Sequence, residues 1–345
     1  MCNYPMVRAE TYERYTNKKG GTSYKCEWLQ RQQVDDAGGI DNLRKTFQGK
    51  YRRIQFTPCG QCVPCLLGYS RDKATQIMLE KNFGYEEGEP YPDGTSWMIT
   101  CTYDNEHLHT HKTINTETGE LFEGISLKTK DDQNFMKLLR YYYPNMKMKR
   151  VVAGEYGSLS LRPHYHSIIF GLPLDVTKFK TWNVNKWGQR TWTLQDLNDI
   201  WGKGMVNIAR VEWQNAAYVA RYALKKANKK DKNWYAAQGM APEFIHWSNG
   251  IGKNYFMNNY EDIYKTDSVP IVNNHGQIVK PPKSYDRMLK EVDKELYNKI
   301  KFYRDKQSIT SDKILNNMTD LTPEERRIVS EARMKQVMKD IRMEV

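Results

Sequence analysis

The sequence lacks three features that would place it in other classes of protein. It has no run of about 18 apolar residues, the length that a transmembrane helix needs, so no membrane-spanning helix is expected. Its first residues, MCNYPMVRAETYERYTNKKGG, hold no apolar stretch of the kind found in a signal peptide. It also lacks a Gly-x₄-Gly-Lys-Ser/Thr motif, so no ATP-driven motor of the P-loop type is expected. These absences predict a protein of the cytosol.

Acidic residues are too few to balance the basic ones. Lys and Arg number 53 against 41 Asp and Glu, which gives a formal net charge of +12. A surplus of this size favours a polyanionic partner, because cations on the protein displace the counterions of phosphates. The alternative is a merely basic protein, and charge alone does not separate the two. A hydrophobic fraction of 39% with 12% aromatics suffices for a packed core.

Cysteines are few, but three of the six stand in one short motif. In the cytosol, cysteines serve more often as thiols or metal ligands than as disulfides. Cys59, Cys62 and Cys65 form a C-x₂-C-x₂-C run, a spacing that lets neighbouring thiolates reach one ion. One hypothesis is a structural zinc site with Cys2 or Cys26 as the fourth ligand. The alternatives are reduced thiols at the start of a helix, or an iron–sulfur cluster.

The order of strand and helix signals predicts the fold class. Residues 1–58 are polar and irregular in pattern, and a helix is predicted from about 66 to 83. The further predicted elements are strands at 96–103, 148–157, 162–171 and 206–211, helices at 131–143, 194–201 and 215–229, and a hairpin near 118–119. Asp131 or Asp132 is expected to cap the helix at 131–143. Such connections predict an α+β fold with a central antiparallel sheet flanked by helices.

A pair of histidines is the sharpest candidate for a site. His164 and His166 lie two residues apart in a predicted strand, so both imidazoles point to one face, within reach of one ion. Two imidazoles suit Mn²⁺, Zn²⁺, Cu²⁺ or Ni²⁺ and tolerate Mg²⁺ in a mixed site. Glu155, in the preceding predicted strand, would lie beside them if a short loop joins two antiparallel strands. The alternative is two surface histidines on an amphipathic strand.

A pair of tyrosines is the second candidate. Tyr218 and Tyr222 are four residues apart, so they share one face of a predicted helix. Neighbouring cations can favour a phenolate and neutralise a phosphate, which a tyrosine needs in order to attack a phosphodiester. The cations of this segment include Arg221, Lys225, Lys226, Lys229 and Lys230. Two tyrosines one turn apart suit two successive transesterifications, and the alternative is that both rings pack the helix against a sheet.

Three weaker motifs complete the inventory. The alternating histidines at 107, 109 and 111 begin a polar segment and are expected to lie in a solvated loop. The segment at 250–253, Gly-Ile-Gly-Lys, could bring backbone amides to a phosphate. The segment at 322–325, Thr-Pro-Glu-Glu, predicts a capping box in a charged, helical tail.

Together these motifs resemble the HUH endonuclease superfamily, and in particular the gokushovirus-type replication initiators of the Microviridae. The resemblance runs in order along most of the chain. Its motifs are PCGQCVPC at 58–65, TCTYDNEHL at 100–108, AGEYG at 153–157, RPHYHSIIFG at 162–171, AAYVARYALKK at 216–226, GIGKNYF at 250–256 and KPPKSYDR at 280–287. Their joint occurrence is far more specific than any one of them.

The resemblance implies a rolling-circle initiator that nicks phage origin DNA by tyrosine transesterification, forms a 5′-phosphotyrosine link and later rejoins the strand. It implies an HUH-like core at 95–260, a cysteine-containing region at 1–94 and a charged, largely helical extension at 261–345. Glu155, His164 and His166 would hold Mg²⁺ or Mn²⁺. The nucleophiles would be Tyr218 and Tyr222, assisted by Lys225, with DNA contacts from Arg221, Lys226, Lys229 and Lys230.

The implied partners are single-stranded and origin DNA, a host helicase and host replication proteins in the bacterial cytoplasm, with no membrane. The helicase is expected because the chain carries no ATP-driven motor of its own. Two alternatives stay open. One is a non-catalytic, zinc-stabilised DNA-binding protein, and the other is an HUH transposase or relaxase that applies the same chemistry to different DNA.

Overall fold

The computed structural model of the chain describes most of residues 6–336. The residues outside the description are 1–5, 18–19, 31–32, 34–35, 37–42, 44–45, 48, 61, 115–118, 158–159, 185–188, 226–234, 236–238, 271–277, 323–324, 327, 335 and 337–345. Some side chains within helices and strands are outside it too, namely those at 55–56, 87, 111, 113, 122, 222–225, 308–309, 311–313 and 315–316.

The chain divides into two compact units. One is drawn from Met1–Gly68 and Asp312–Val345, and the other from Tyr69–Ser311. The domain boundaries predicted after residues 94 and 260 stay predictions. None of the described helices is both long enough and apolar enough to cross a membrane.

Strands and helices alternate through the described residues. The strands are β1 (Met6–Thr16), β2 (Thr22–Leu29), β3 (Arg53–Thr57), β4 (Ser96–Tyr103), β5 (Thr110–Ile114), β6 (Leu121–Ile125), β7 (Lys149–Tyr156), β8 (Pro163–Phe170), β9 (Lys180–Val184), β10 (Arg190–Thr193), β11 (Gly204–Arg210), β12 (Phe244–Trp247), β13 (Val269–Pro270) and β14 (Ile278–Val279). The helices are α1 (Val63–Phe83), α2 (Thr129–Tyr142), α3 (Gln195–Trp201), α4 (Trp213–Lys225), α5 (Lys253–Thr266), α6 (Lys283–Val292) and α7 (Lys294–Asn317).

The first unit contains a small antiparallel sheet in the order β2-β1-β3. Its buried side comprises Val7, Ala9, Leu29, Leu43 and Tyr51. The sequence pattern predicts no strand in residues 1–58, and that prediction is wrong for these segments. A register shift between β1 and β2 interrupts the two-residue alternation of β1, so the period of a strand is hidden.

The second unit is built on a large antiparallel sheet. Within the described chain its order is β12-β7-β8-β4-β11-β10-β9, and all neighbouring strands are antiparallel. The prediction of an α+β fold with a central antiparallel sheet is confirmed. Each of the four strands predicted in this region corresponds to a strand of the sheet, whereas the hairpin of β9 and β10 was not expected. All residues of β9 are exposed, so it carries no alternating pattern.

Helices cover both faces of this sheet. On one face, α1 and α4 bury Ile77, Val219 and Ala220 against Ile168 and Phe170 of β8. On the other face, α2 and α3 bury a second cluster. Its largest members include Trp97, Tyr103, Phe135, Tyr165 and Trp201. Alternate residues of β8 therefore enter two separate cores, as the two-residue period of a strand requires.

Helix α2 begins without the predicted aspartate cap. Its N-cap is Lys128, which makes no side-chain capping hydrogen bond. Asp131 instead accepts a 2.9 Å hydrogen bond from the hydroxyl of Tyr103. Asp132 binds the guanidinium of Arg150 on β7 through contacts of 2.7 and 2.9 Å. The two carboxylates lie inside the first turn and attach it to the sheet, so the cap prediction is wrong.

The turn at 250–253 binds a carboxylate of the protein itself. The backbone amide of Gly252 donates to Glu80 Oε2 at 2.7 Å, and Lys149 Nζ donates to Glu80 Oε1 at 2.7 Å. Glu80 is fully buried. An amide that the sequence pattern offers to a phosphate is therefore occupied by an internal anion.

Two helix ends follow the sequence pattern. The N–H of Glu325 donates to the hydroxyl of Thr322 at 3.3 Å, and the N–H of Thr322 donates to Glu325 Oε2 at 2.8 Å, so the predicted capping box is confirmed. Helix α3 ends at Gly202, whose φ of 60° lies in the left-handed region that favours glycine.

Candidate metal and nucleophile site

The register of β7 and β8 assembles the candidate metal site. In this antiparallel pair, Glu155 lies directly opposite His164, and Ala153 lies opposite His166. Opposed residues of paired strands project to the same face. The short loop between the two strands thus returns the carboxylate to the histidines, as the sequence predicts.

Both histidines point to one carboxylate oxygen. The Nε2 atoms of His164 and His166 lie 2.7 and 2.8 Å from Glu155 Oε1. The ligand atoms of the three residues lie within 4.8 Å of one another. Glu155 and His166 are buried, at 5% and 7% exposure, while His164 is half-buried. The site therefore has one more open side, at His164.

Hydrogen bonds on the far side of each ring fix its orientation. His164 Nδ1 lies 3.1 Å from the carbonyl oxygen of Arg162, and His166 Nδ1 lies 2.9 Å from Thr100 Oγ1. These bonds direct both Nε2 atoms toward Glu155. Partners of this kind are typical of metal-ligating histidines, because they set the tautomer and the direction of the ring.

The surroundings of His164 call for a cation. Its Nδ1 faces a carbonyl oxygen and its Nε2 faces a carboxylate, and both of these groups are acceptors. A neutral imidazole has only one N–H and cannot satisfy two acceptors. A metal ion between Nε2 and the carboxylate resolves this conflict, as does a proton. Two imidazole nitrogens and a carboxylate oxygen form a mixed donor set that fits a divalent ion.

Helix α4 brings one of the two candidate tyrosines to this group. The hydroxyl of Tyr218 donates to Glu155 Oε1 at 3.1 Å and lies 3.4 Å from His166 Nε2. The Tyr218 ring meets the His166 ring edge-on, with centroids 5.1 Å apart. The guanidinium of Arg221 lies 5.6 Å from the centroid of the same ring. A nucleophile, an acceptor and a nearby cation therefore occur together.

Tyr165, which stands between the histidines in sequence, belongs to the opposite face. Its hydroxyl donates to the carbonyl oxygen of Lys128 at 3.0 Å and lies 2.8 Å from the hydroxyl of Tyr103. Burial raises the pKa of both hydroxyls well above the ordinary value. Both therefore stay protonated and serve as hydrogen-bonding groups of the core.

Several predicted site residues lie beyond what the structure describes. Tyr222 and Lys225 belong to α4, but their side chains are outside the described residues, as are Lys226, Lys229 and Lys230. Their predicted roles stay predictions. Thr100 was not predicted, because its proximity to His166 depends on the pairing of β4 with β8, which no local pattern reveals.

The alternating histidines behave differently from the expected solvated loop. His109 Nε2 lies 2.6 Å from Asp131 Oδ2, and its ring packs edge-on against Tyr103. His107 Nδ1 lies 2.8 Å from the exposed carboxylate of Asp104. The expectation is wrong for His109, since it is tied to a buried aspartate.

The cysteine motif forms a second group. The Sγ atoms of Cys59, Cys62 and Cys65 all lie within 4.8 Å of one another. Cys26, one of the two predicted fourth ligands, is not a member of this group. Cys2, the other, lies outside the described residues.

Comparison with known proteins assigns the chain to a class. Residues 96–227, which include both candidate site strands and most of α4, match the family model for replication-associated proteins of the ORF2 type. The chain is 35% identical over 245 residues to the replication-associated protein ORF2 of Spiroplasma virus 4, which covers 70% of each chain. It is thus a member of the family of replication-associated proteins found in phages of the Microviridae type, and the predicted family is confirmed.

Two further relatives extend the comparison. The replication-associated protein VP4 of Bdellovibrio phage phiMH2K is 29% identical over 219 residues, covering 63% of this chain and 62% of the relative. The replication-associated protein ORF4 of Chlamydia phage 1 is 25% identical over 255 residues, covering 71% of this chain and 58% of the relative. No solved structure matches the chain significantly.

Proposed function

We propose that this protein is a rolling-circle replication initiator of the HUH endonuclease type, which nicks phage origin DNA and later rejoins the strand. One observation carries the proposal. A single carboxylate oxygen of Glu155 lies 2.7 Å from His164, 2.8 Å from His166 and 3.1 Å from the hydroxyl of Tyr218. A tyrosine beside a candidate metal site is the minimal equipment of a tyrosine nickase.

Glu155, His164 and His166 would hold a divalent cation, Mg²⁺ or Mn²⁺. When bound, such an ion polarises and orients a scissile phosphate as a Lewis acid. The carbonyl of Arg162 and the hydroxyl of Thr100 keep both Nε2 atoms directed at the ion position. The burial of Glu155 and His166 limits competition from water.

Tyr218 is the proposed first nucleophile. Its oxygen attacks the phosphorus, a new Oη–P bond forms, the P–O3′ bond breaks, and the leaving oxygen takes up a proton as a 3′-hydroxyl. The hydroxyl of Tyr218 gives up its own proton in this step, and its acceptor in the structure is Glu155 Oε1. The nearby guanidinium of Arg221 favours the phenolate and attracts the phosphate.

The product is a 5′-phosphotyrosine link, which conserves the energy of the phosphodiester. Rejoining reverses the chemistry, since a 3′-hydroxyl attacks the phosphotyrosine and releases the tyrosine. Tyr222, one helical turn after Tyr218, would serve a second transesterification, with Lys225 as an assisting cation. The relatives support the replicative role, since each is named a replication-associated protein. That naming favours an initiator over a transposase or relaxase.

The proposal is tested with labelled single-stranded DNA that covers the cognate phage genome. We expect a covalent protein–DNA adduct on a denaturing gel in Mn²⁺, none after chelation, and recovery when Mn²⁺ is added back. The double variant Tyr218→Phe/Tyr222→Phe and the single variant Glu155→Gln should form no adduct while still binding DNA.

The matched control is Tyr142→Phe, because Tyr142 lies on α2 and is exposed. It should form the adduct at the normal rate. Tight DNA binding without an adduct on any genome fragment would favour the non-catalytic, zinc-stabilised DNA-binding protein instead.

A further inference from the structure

We propose that Cys59, Cys62 and Cys65 bind a zinc ion that is separate from the metal of the Glu155–His164–His166 site. The proposal rests on the geometry of the three thiols and does not depend on the nickase proposal. The zinc would be structural, since these residues connect the end of β3 to the start of α1.

The distances suit one tetrahedral ion. Zinc–sulfur bonds of about 2.3 Å in a tetrahedral site place two sulfurs about 3.8 Å apart. The three Sγ atoms lie within 4.8 Å of one another, so small rotations of the side chains suffice to reach that spacing. Their spacing by three residues produces this closeness, because the chain turns at Cys62 and continues as a helix.

The local backbone favours thiolates at this place. The N–H of Cys62 donates to Cys59 Sγ at 3.3 Å, a bond that stabilises a charged sulfur. Cys65 lies in the first turn of α1, which begins at Val63, and the positive end of a helix dipole lowers the pKa of a thiol placed there. Cys62 is buried, and the other two cysteines are half-buried. The group is therefore partly shielded from water.

The donor set selects the metal. Soft thiolates favour Zn²⁺ over Mg²⁺ or Mn²⁺, whereas the mixed site on β7 and β8 accepts the harder ions. Cys26 is unsuited as a further ligand, since its thiol lies outside the group and donates to the carbonyl of Tyr24 at 3.4 Å. Cys101 is buried in the core of the large sheet.

The test is the zinc content of the full-length chain purified under reducing conditions. We expect about one zinc ion per chain, which persists when Mg²⁺ is in excess. The triple variant Cys59→Ser/Cys62→Ser/Cys65→Ser should contain none. Two controls should retain it: Cys26→Ser, which removes a cysteine outside the group, and His164→Ala/His166→Ala, which removes the other site.

A second measurement needs no variant and covers the case in which the triple variant does not fold. The wild-type chain loaded with Co²⁺ in place of zinc should show thiolate-to-cobalt charge-transfer bands and the visible bands of tetrahedral cobalt. Zinc retained by the triple variant, or a cobalt-loaded chain without charge-transfer bands, would overturn the proposal. So would zinc that is lost only in His164→Ala/His166→Ala.

Discussion

The hydroxyl of Thr100 orients one ring of the candidate metal site. It lies 2.9 Å from His166 Nδ1, on the neighbouring strand β4. A partner at Nδ1 holds the imidazole so that Nε2 faces the ion position. Thr100 is thus a positioning residue that acts through His166.

Thr100→Val should weaken Mn²⁺ binding by about 10- to 100-fold, the usual cost of losing such a partner. The measurement is electron paramagnetic resonance of Mn²⁺, which does not detect zinc. Thr100→Ser keeps the hydroxyl and should restore the affinity.

Thr102→Val is the matched control on the same strand. Its hydroxyl donates to the carbonyl of Met205 at 3.2 Å, so the variant should bind Mn²⁺ normally. Equal affinity in Thr100→Val and Thr102→Val would show that the Thr100 hydroxyl does not position His166.

At this scale, local periodicity predicts the residues that lie close in sequence. His164 and His166 share a face because a strand repeats every two residues, and Glu155 follows from a short loop between antiparallel strands. Thr100 lies 66 residues before His166, and only the pairing of β4 with β8 brings the two together. No spacing in the sequence indicates that pairing.

Helix α2 is attached to the sheet by a buried ion pair. Arg150 on β7 donates to both carboxylate oxygens of Asp132, and Asp132 is only 1% exposed. Burial raises the pKa of the Asp132 carboxyl, and the neighbouring guanidinium of Arg150 opposes that rise. The carboxylate therefore depends on Arg150 to remain charged inside the protein.

Arg150→Met should lower the free energy of unfolding by about 3–5 kcal/mol at neutral pH, because it leaves a buried charge unpaired. Without Arg150, the pKa of Asp132 in the folded state rises further above its ordinary value of 3.8. A raised folded-state pKa contributes stability below the ordinary value and loses it as the pH rises. The loss should therefore shrink toward pH 3.8, as followed by urea unfolding with tryptophan fluorescence.

Two variants make this test specific. Lys178→Met breaks an exposed pair with Asp196 and should change stability by at most about 1 kcal/mol. The double variant Arg150→Met/Asp132→Leu should recover much of the loss, since it removes the stranded charge. A loss of the same size at every pH would contradict the role given to Asp132.

At the scale of elements, periodicity predicts those with one clear buried face. The strand predicted at 96–103 matches β4 residue for residue, and the helix predicted at 131–143 corresponds to Thr129–Tyr142. The strands that were missed carry weak alternation. In β1 the register shift breaks it, and in β9 every residue is exposed.

The whole molecule carries a net charge of +12, and its family acts in phage replication by name. If DNA is the partner, binding should release counterions in proportion to the phosphates contacted. The logarithm of the association constant should then fall linearly with the logarithm of the salt concentration. Each contact with single-stranded DNA contributes about −0.7 to that slope.

Fluorescence anisotropy of a labelled oligonucleotide measures this slope. A neutral osmolyte at matched osmolality is the control and should leave the affinity unchanged. An affinity that does not depend on salt would show that the surplus of basic residues does not engage the DNA backbone.

The most direct test of the central claim is mass spectrometry of the peptides obtained from the protein–DNA adduct after digestion by protease and nuclease. The proposed chemistry predicts a nucleotide joined through its 5′-phosphate to Tyr218 or Tyr222. The proximity of Tyr218 to Glu155 and His166 favours Tyr218 for the first cleavage. A nucleotide on any other residue, or cleavage that leaves a free 5′-phosphate and no adduct, would contradict the tyrosine mechanism.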